Sequence, residues 1–384
     1  MPITYPSIDA FGRLRVSNPQ TVFDSKLVYD SQPLYWAEAQ TGGAAAGVWS
    51  GADARVRLTA TTGQTSVRQT RAFFNYQSGK SHLIFQSFCM GPAVSGAIMR
   101  VGYFDSSNGV FLERNGSSLS IVRRSSSSVP TATVTQTQWN IDPLNGNGPS
   151  RITLDVTKSQ ILVMDLEWLG VGSVRVGFVI DGNITYVHQF QNANVNSAVY
   201  MSTPNLPQRF EIDATAAAGS AYLDCICGTV ISEGGAELTG GPFGFSSPRT
   251  GNIADAASKT LLSIRHNASY PRVEIIPTSI IPLTAGNGVS QWALLYNPTL
   301  AGATWTTTRG YCDLDVAGAA SGGTVIAAGV FSNNAPSISL SLTNATLTLG
   351  ADVAGVSDVM SLVVTNVSGG NEQYIGAINW IALT

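Results

Sequence analysis

The sequence predicts an all-β protein: a β-sandwich, a smaller β-sandwich after it, and an extended arm in front. Three observations carry this prediction. Apolar residues alternate at a period of two along most of the chain, no helical periodicity of any length appears, and Gly, Pro, Asn and Asp clusters separate the alternating runs. At 384 residues the chain exceeds the usual size of a single core, so two domains are expected.

Taken in order, residues 1–30 read as an anchoring arm. Pro6 and Pro19 exclude a continuous helix there, and Gly12 would weaken one. Phe11, Arg13 and Arg15 alternate with Gly12 and Leu14, as an extended segment would present them to a partner surface. These three are the predicted assembly contacts.

Residues 31–232 read as the larger sandwich. Strands are expected at 55–61, 81–88, 98–104, 110–113, 119–123, 151–156, 160–168, 210–213 and 221–230. Val174, Val176, Phe178 and Ile180 alternate up to Asp181-Gly182, and Ile184, Tyr186, His188 and Phe190 alternate beyond it. That pattern is a hairpin, because a type I′ turn needs positive φ at both central residues. So many short strands predict a two-sheet jelly roll, and RVGFVIDG leading into mixed aromatics is similar to the concanavalin-type jelly roll.

Residues 233–252 lose all alternation and are rich in Gly and Pro, so they read as a linker. Beyond it, strands at 261–265, 272–280, 291–296, 311–316, 324–330, 337–349, 359–365 and 374–383 make residues 253–384 the smaller sandwich. No repeat of fixed period relates the two halves.

The segments 9–36 (DAFGRLRVSNPQTVFDSKLVYDSQPLYW), 71–88 (RAFFNYQSGKSHLIFQSF), 101–125 (VGYFDSSNGVFLERNGSSLSIVRRS) and 168–212 (opening WLGVGSVRVGFVIDG, closing YMSTPNLPQRFEI) resemble a family of structural proteins of tailed-bacteriophage particles. The resemblance covers most of the first 230 residues, and the last 150 match only in style. It implies a virion component of tail, baseplate, fibre or head-decoration type. Its partners would be other virion proteins and copies of itself, as a trimer by family style, and it would be made and assembled in the host cytoplasm.

Composition bounds the other possibilities. Charged residues make up 12% of the chain, against roughly 25% in an average soluble protein. Such a surface suits one covered by neighbouring subunits. The net charge of -3 provides no basic field for nucleic acid. No apolar run is long enough to span a membrane as a helix, and the N-terminus lacks the basic and apolar regions of a signal peptide. Cys225 and Cys227 lie two apart on one expected strand, pointing the same way, and match neither a redox nor a zinc spacing. Buried free thiols are expected, with no metal and no cofactor. The N-x-[ST] triplets at Asn115, Asn183, Asn267, Asn344 and Asn366 are coincidences of an Asn-rich chain without a secretion signal.

The one constellation with a catalytic look is LVMDLEWLG, residues 162–170. Asp165 and Glu167 share a strand face there. Jelly-roll glycosidases similar in outline carry a third carboxylate two positions earlier, where this chain has Val163, so the pair reads as two carboxylates on a solvated face. His82, His188 and His266 sit in strand contexts with no nucleophile elbow nearby. The expectation is therefore no enzyme. Trp139, Asp142, Asn145 and Asn147, clustered in a Gly- and Pro-containing loop, are residue types that contact sugars, which makes a lectin-like module for host surface glycans the alternative and a polysaccharide depolymerase the third reading.

Overall fold

The computed structural model describes residues 8, 9, 12, 18–237, 240–307, 311–333, 340, 341 and 347–384. They fall into two compact units, 1–237 and 238–384. Both are built of antiparallel sheets, and the first is a concanavalin-like jelly roll.

Fifteen strands form the first unit: β1 (Gln20–Lys26), β2 (Trp36–Thr41), β3 (Val48–Ser50), β4 (Arg55–Ala60), β5 (Thr65–Thr70), β6 (Ser81–Met90), β7 (Ile98–Phe104), β8 (Gly109–Asn115), β9 (Ser118–Arg124), β10 (Ala132–Thr135), β11 (Gln160–Leu166), β12 (Val174–Ile180), β13 (Asn183–Phe190), β14 (Gln208–Asp213) and β15 (Ala221–Glu233). An eight-stranded sheet runs β13-β12-β11-β6-β15-β4-β3, with β1 also paired to β15. A seven-stranded sheet runs β10-β9-β8-β7-β14-β5-β2. The period-two alternation decides what lies between them. Ile84, Phe88, Leu162, Met164, Val176 and Phe178 from the first sheet pack with Met99, Val101, Tyr103, Leu112, Ile121 and Phe210 from the second. Each such side chain, once fully buried, stabilises the unit by about 1.5–3 kcal/mol before entropy is counted.

The second unit contains β16 (Gly241–Ser246), β17 (Ser258–His266), β18 (Glu274–Thr284), β19 (Val289–Tyr296), β20 (Thr299–Ala301), β21 (Thr306–Thr307), β22 (Cys312–Asp315), β23 (Ala319–Ser321), β24 (Thr324–Ser332), β25 (Leu340–Ser341), β26 (Val359–Asn366) and β27 (Tyr374–Leu383). β20 pairs with β23 in a small third sheet, and the two larger sheets run β16-β27-β18-β25 and β21-β22-β17-β26-β19-β24. They close on each other: a Cβ on Gly376 of β27 would stand 2.7 Å from Leu261 of β17, and the Ser290 and Tyr374 hydroxyls meet at 2.8 Å between the sheets.

Several expectations need correction. The segment 20–26 is not arm but strand, because its backbone pairs with β15 from Gln20↔Ser232 to Lys26↔Cys227 and Phe23 packs on Trp36 and Phe74. Residues 241–246, read as linker, form β16, held against β27. Residues 151–156 make one bridge, Asn145↔Thr153, instead of a strand. Of 337–349, residues 337–339 and 342–346 lie outside the described residues.

Cys225 and Cys227 do not point the same way. A bulge pairs Cys225 with Phe88 and Cys227 with Ser87, so the intervening residue is absorbed and Cys227 turns to the outer face. The hairpin turn at Asp181-Gly182 has φ of 51° and 77°, as a type I′ turn requires.

Candidate functional site

The outer face of the eight-stranded sheet carries the candidate site. Strand register stacks its side chains in rows. One row runs Val163 (β11), Phe85 (β6), Thr229 (β15) and Asp24 (β1). A row displaced to one side holds Ile161, Ser87, Cys227 and Lys26, and the row on the other side holds Arg175, Asp165, Leu83 and Ile231.

Asp165 is buried on this face. It accepts from Arg175 Nε at 3.1 Å and also from Arg175 Nη2, and the Tyr186 hydroxyl donates to it at 3.3 Å. The Arg175 guanidinium lies 4.7 Å from the Tyr186 ring centroid. Its Nη2 also donates to the carbonyl of Ile8 at 2.8 Å, and Asp9 beside it is buried. The start of the chain therefore contacts this ion pair from outside the sheet. Glu167 lies beyond the end of β11 and is buried too, with Gly172 left without a side chain to make room for it. The expectation of two carboxylates on a solvated face is thus corrected: both are covered, one by a guanidinium and one by a loop.

Alongside the ion pair the described residues leave the face open. A groove of about 340 Å³ is lined by Phe85, Ile161, Val179 and Cys227, with Asp24, Ser87 and Thr229 among its polar residues. The Thr229 hydroxyl donates to the Phe23 carbonyl at 2.8 Å, which leaves its lone pairs toward a ligand donor. Burial raises the Cys227 thiol above its ordinary pKa, so it serves as a small neutral group.

The sequence-predicted loop site does not assemble. Trp139 belongs to the core, stacked on Phe178 with centroids 6.5 Å apart, and offers no platform. Asp142 is buried and accepts from the backbone N–H groups of Leu144 and Ser150 at 2.9 and 2.8 Å. Asn145 and Asn147 are exposed, with the Asn145 side-chain Oδ1 accepting from the Asn147 backbone N–H at 3.0 Å. Backbone geometry explains these residue types. Phe11, Arg13 and Arg15 lie outside the described residues.

Sequence reasoning missed the groove, because its residues come from five strands that only register brings together. It also missed a charged ladder on the outer face of the seven-stranded sheet. Arg100 stands in register between Glu113 and Glu211, donating to Glu113 at 2.7 Å and also to Glu211. Arg209 donates to Glu211 at 2.6 and 2.9 Å. Burial pushes the Glu211 carboxyl up, but the two guanidiniums outweigh it and hold the group below its ordinary range. A carboxylate held ionised in this way is suited to fixing arginines and unsuited to giving up a proton. Among the described residues no cluster of His, Cys, Asp and Glu is arranged to hold a metal.

No family model and no curated protein matches this chain. Solved structures similar to part of this chain include a glycoside hydrolase family protein from Mycobacterium thermorestibile, at 9% identity over 54% of this chain and 99% of that one, with a TM-score of 0.40. A β-glucanase from Bacillus licheniformis matches at 10% identity over 54% and 96%, TM-score 0.34. The carbohydrate recognition domain of Emp47p matches at 10% identity over 56% and 97%, TM-score 0.34. The expectation of a non-enzymatic phage virion component is corrected on this finding: two of these structures are named as a hydrolase and a glucanase, and none of the three as a particle protein. The exclusion of enzymatic activity is withdrawn with it.

Proposed function

We propose that the protein is directed at carbohydrate, and that it takes a glycan into the groove on the outer face of its eight-stranded sheet. The observation that carries this reading is the mixed lining of an open groove of about 340 Å³: Phe85, Ile161 and Val179 beside Asp24, Ser87 and Thr229. A pyranose ring has the complementary character, with C–H groups that pack on an aromatic or aliphatic surface and hydroxyls that need both donors and acceptors. The volume is at the lower end of ligand pockets, which suits one or two sugar units. The Arg175–Asp165 pair, fixed by Tyr186, holds the neighbouring row rigid, so the groove keeps its shape without a ligand.

The full chain on an immobilised glycan array tests the reading, with release of reducing ends assayed on every glycan retained. Binding that falls with Phe85→Ala supports the groove. Retention unchanged in that variant, or no retention on any glycan, overturns it.

A further inference from the structure

The second unit carries a constellation of its own at one edge of its six-stranded sheet. Arg265 on β17 is in register with Asp313 on β22, and Asp313 with Thr307 on the outermost strand, β21. Trp305 and Asn267 lie two residues from Thr307 and Arg265, so the alternation of extended backbone brings them to the same face. All five groups are joined. Arg265 donates to Asp313 from Nε and Nη2 at 3.3 and 3.2 Å. Asn267 Nδ2 donates to Asp313 at 2.8 Å and to Thr307 at 3.2 Å, and Thr307 donates to Asp313 at 3.1 Å. The Arg265 guanidinium lies 4.2 Å from the Trp305 ring centroid.

The aromatic side of this edge is held just as firmly. Asp315, two residues after Asp313, accepts from the backbone N–H of Thr304 at 2.7 Å and so fixes the segment that bears Trp305. Tyr311 and Tyr270 meet edge to face at 5.0 Å, tied to Asn267 through Asn267 N–H to the Tyr311 carbonyl and Tyr270 N–H to the Asn267 carbonyl, both at 2.9 Å. Half of the Tyr270 surface is open to solvent, and Trp305 and Arg265 are half-buried. An ordinary solvated sheet edge has no need of an indole clamped over an arginine beside an exposed tyrosine that is itself packed on a half-buried one.

We infer that this edge of the second unit is a separate binding site for an uncharged pyranoside. Trp305 and Tyr270 cover the C–H faces of the sugar, and its hydroxyls meet the Arg265 N–H groups that Asp313 leaves over and the exposed Thr307 hydroxyl, which Asn267 and Asp313 hold in place. Because Arg265 and Asp313 neutralise each other, an anionic ligand has no net field to attract it. The site stands on residues of the second unit alone and does not depend on the groove in the first.

The test uses the full chain labelled with 5-fluorotryptophan, the Trp305 resonance being the one lost in Trp305→Phe. The probes are soluble hexaoses of β-1,3-glucan, β-1,4-glucan, β-1,4-mannan and chitin. At least one should shift the Trp305 resonance saturably, and the shift should persist in Phe85→Ala. Tyr270→Ala, which removes an exposed ring, and Arg265→Lys should each weaken the titration by about ten-fold, the loss of one good stacking or bidentate contact. A Trp305 resonance that none of the four hexaoses moves overturns the inference. So does a titration that Tyr270→Ala and Arg265→Lys leave unchanged while each variant melts as the parent does.

Discussion

Arg175 joins Asp165, ten residues before it, to Ile8, 167 residues before it, through one guanidinium. The pair sits on the outer face of a sheet, where charged side chains are ordinarily solvated, yet both are buried. A charge held this way is retained only while its partner remains. Arg175→Ala should therefore lower the stability of the first unit by about 3–5 kcal/mol, because it strands a buried carboxylate. Arg175→Met with Asp165→Leu should recover most of that loss. Urea denaturation followed by tryptophan fluorescence measures both. Equal stability of the single and double variants would mean that the pair is solvated and that Ile8 does not cover it.

The Asp181-Gly182 turn gives a cleaner, purely conformational test. Gly182 has φ of 77° and no heavy atom within 4 Å of where a Cβ would stand, so a side chain there meets strain but no clash. Gly182→Val should cost about 1–3 kcal/mol, while Gly182→Asn should cost less because Asn tolerates positive φ. Thermal melting should show the first unit shifted and the second unmoved.

Stability should also depend on pH through His82. This residue is buried between Tyr76 and Tyr103, whose ring centroids lie 5.5 and 6.4 Å away, and burial pushes its imidazole down to about 4 from the ordinary 6.5. The unfolded chain then binds the extra proton between those values. Stability is full above about pH 6.5 and falls as pH drops toward 4, by about 3 kcal/mol if the full shift is realised. His188, lowered by burial as well, adds in the same direction. His82→Phe should flatten this part of the pH profile. A profile that keeps its slope in that variant would assign the dependence elsewhere.

The fold was legible because period-two alternation reports directly on which face of a strand is buried. The hairpin at Asp181-Gly182, the meander of β7, β8 and β9, and β27 were all readable this way. Strands without a clean alternation escaped. β1 and β5 are polar segments whose strand character comes from the neighbours they pair with, β15 for one and β14 and β2 for the other. A bulge is likewise invisible in a pattern, so Cys227 was assigned to the wrong face. The site was the least legible part. Phe85, Asp24 and Thr229 are far apart in sequence, and only the pairing of β6, β15 and β1 sets them side by side. The Trp139 loop had the residue types of a sugar site, but hydrophobic burial claimed the indole and turn geometry claimed Asp142.

Calorimetric titration of the full chain with a glycan that it retains on an array tests the central claim most directly, run on the parent, Phe85→Ala and Asp24→Asn. Asp24 is exposed on β1, so its substitution leaves the fold intact and reads out the groove alone. The account predicts that Kd rises by about ten-fold or more in Phe85→Ala and by several-fold in Asp24→Asn, with melting temperature unchanged in the latter. The same Kd in all three proteins would contradict it, and would place the carbohydrate contact away from the outer face of the eight-stranded sheet.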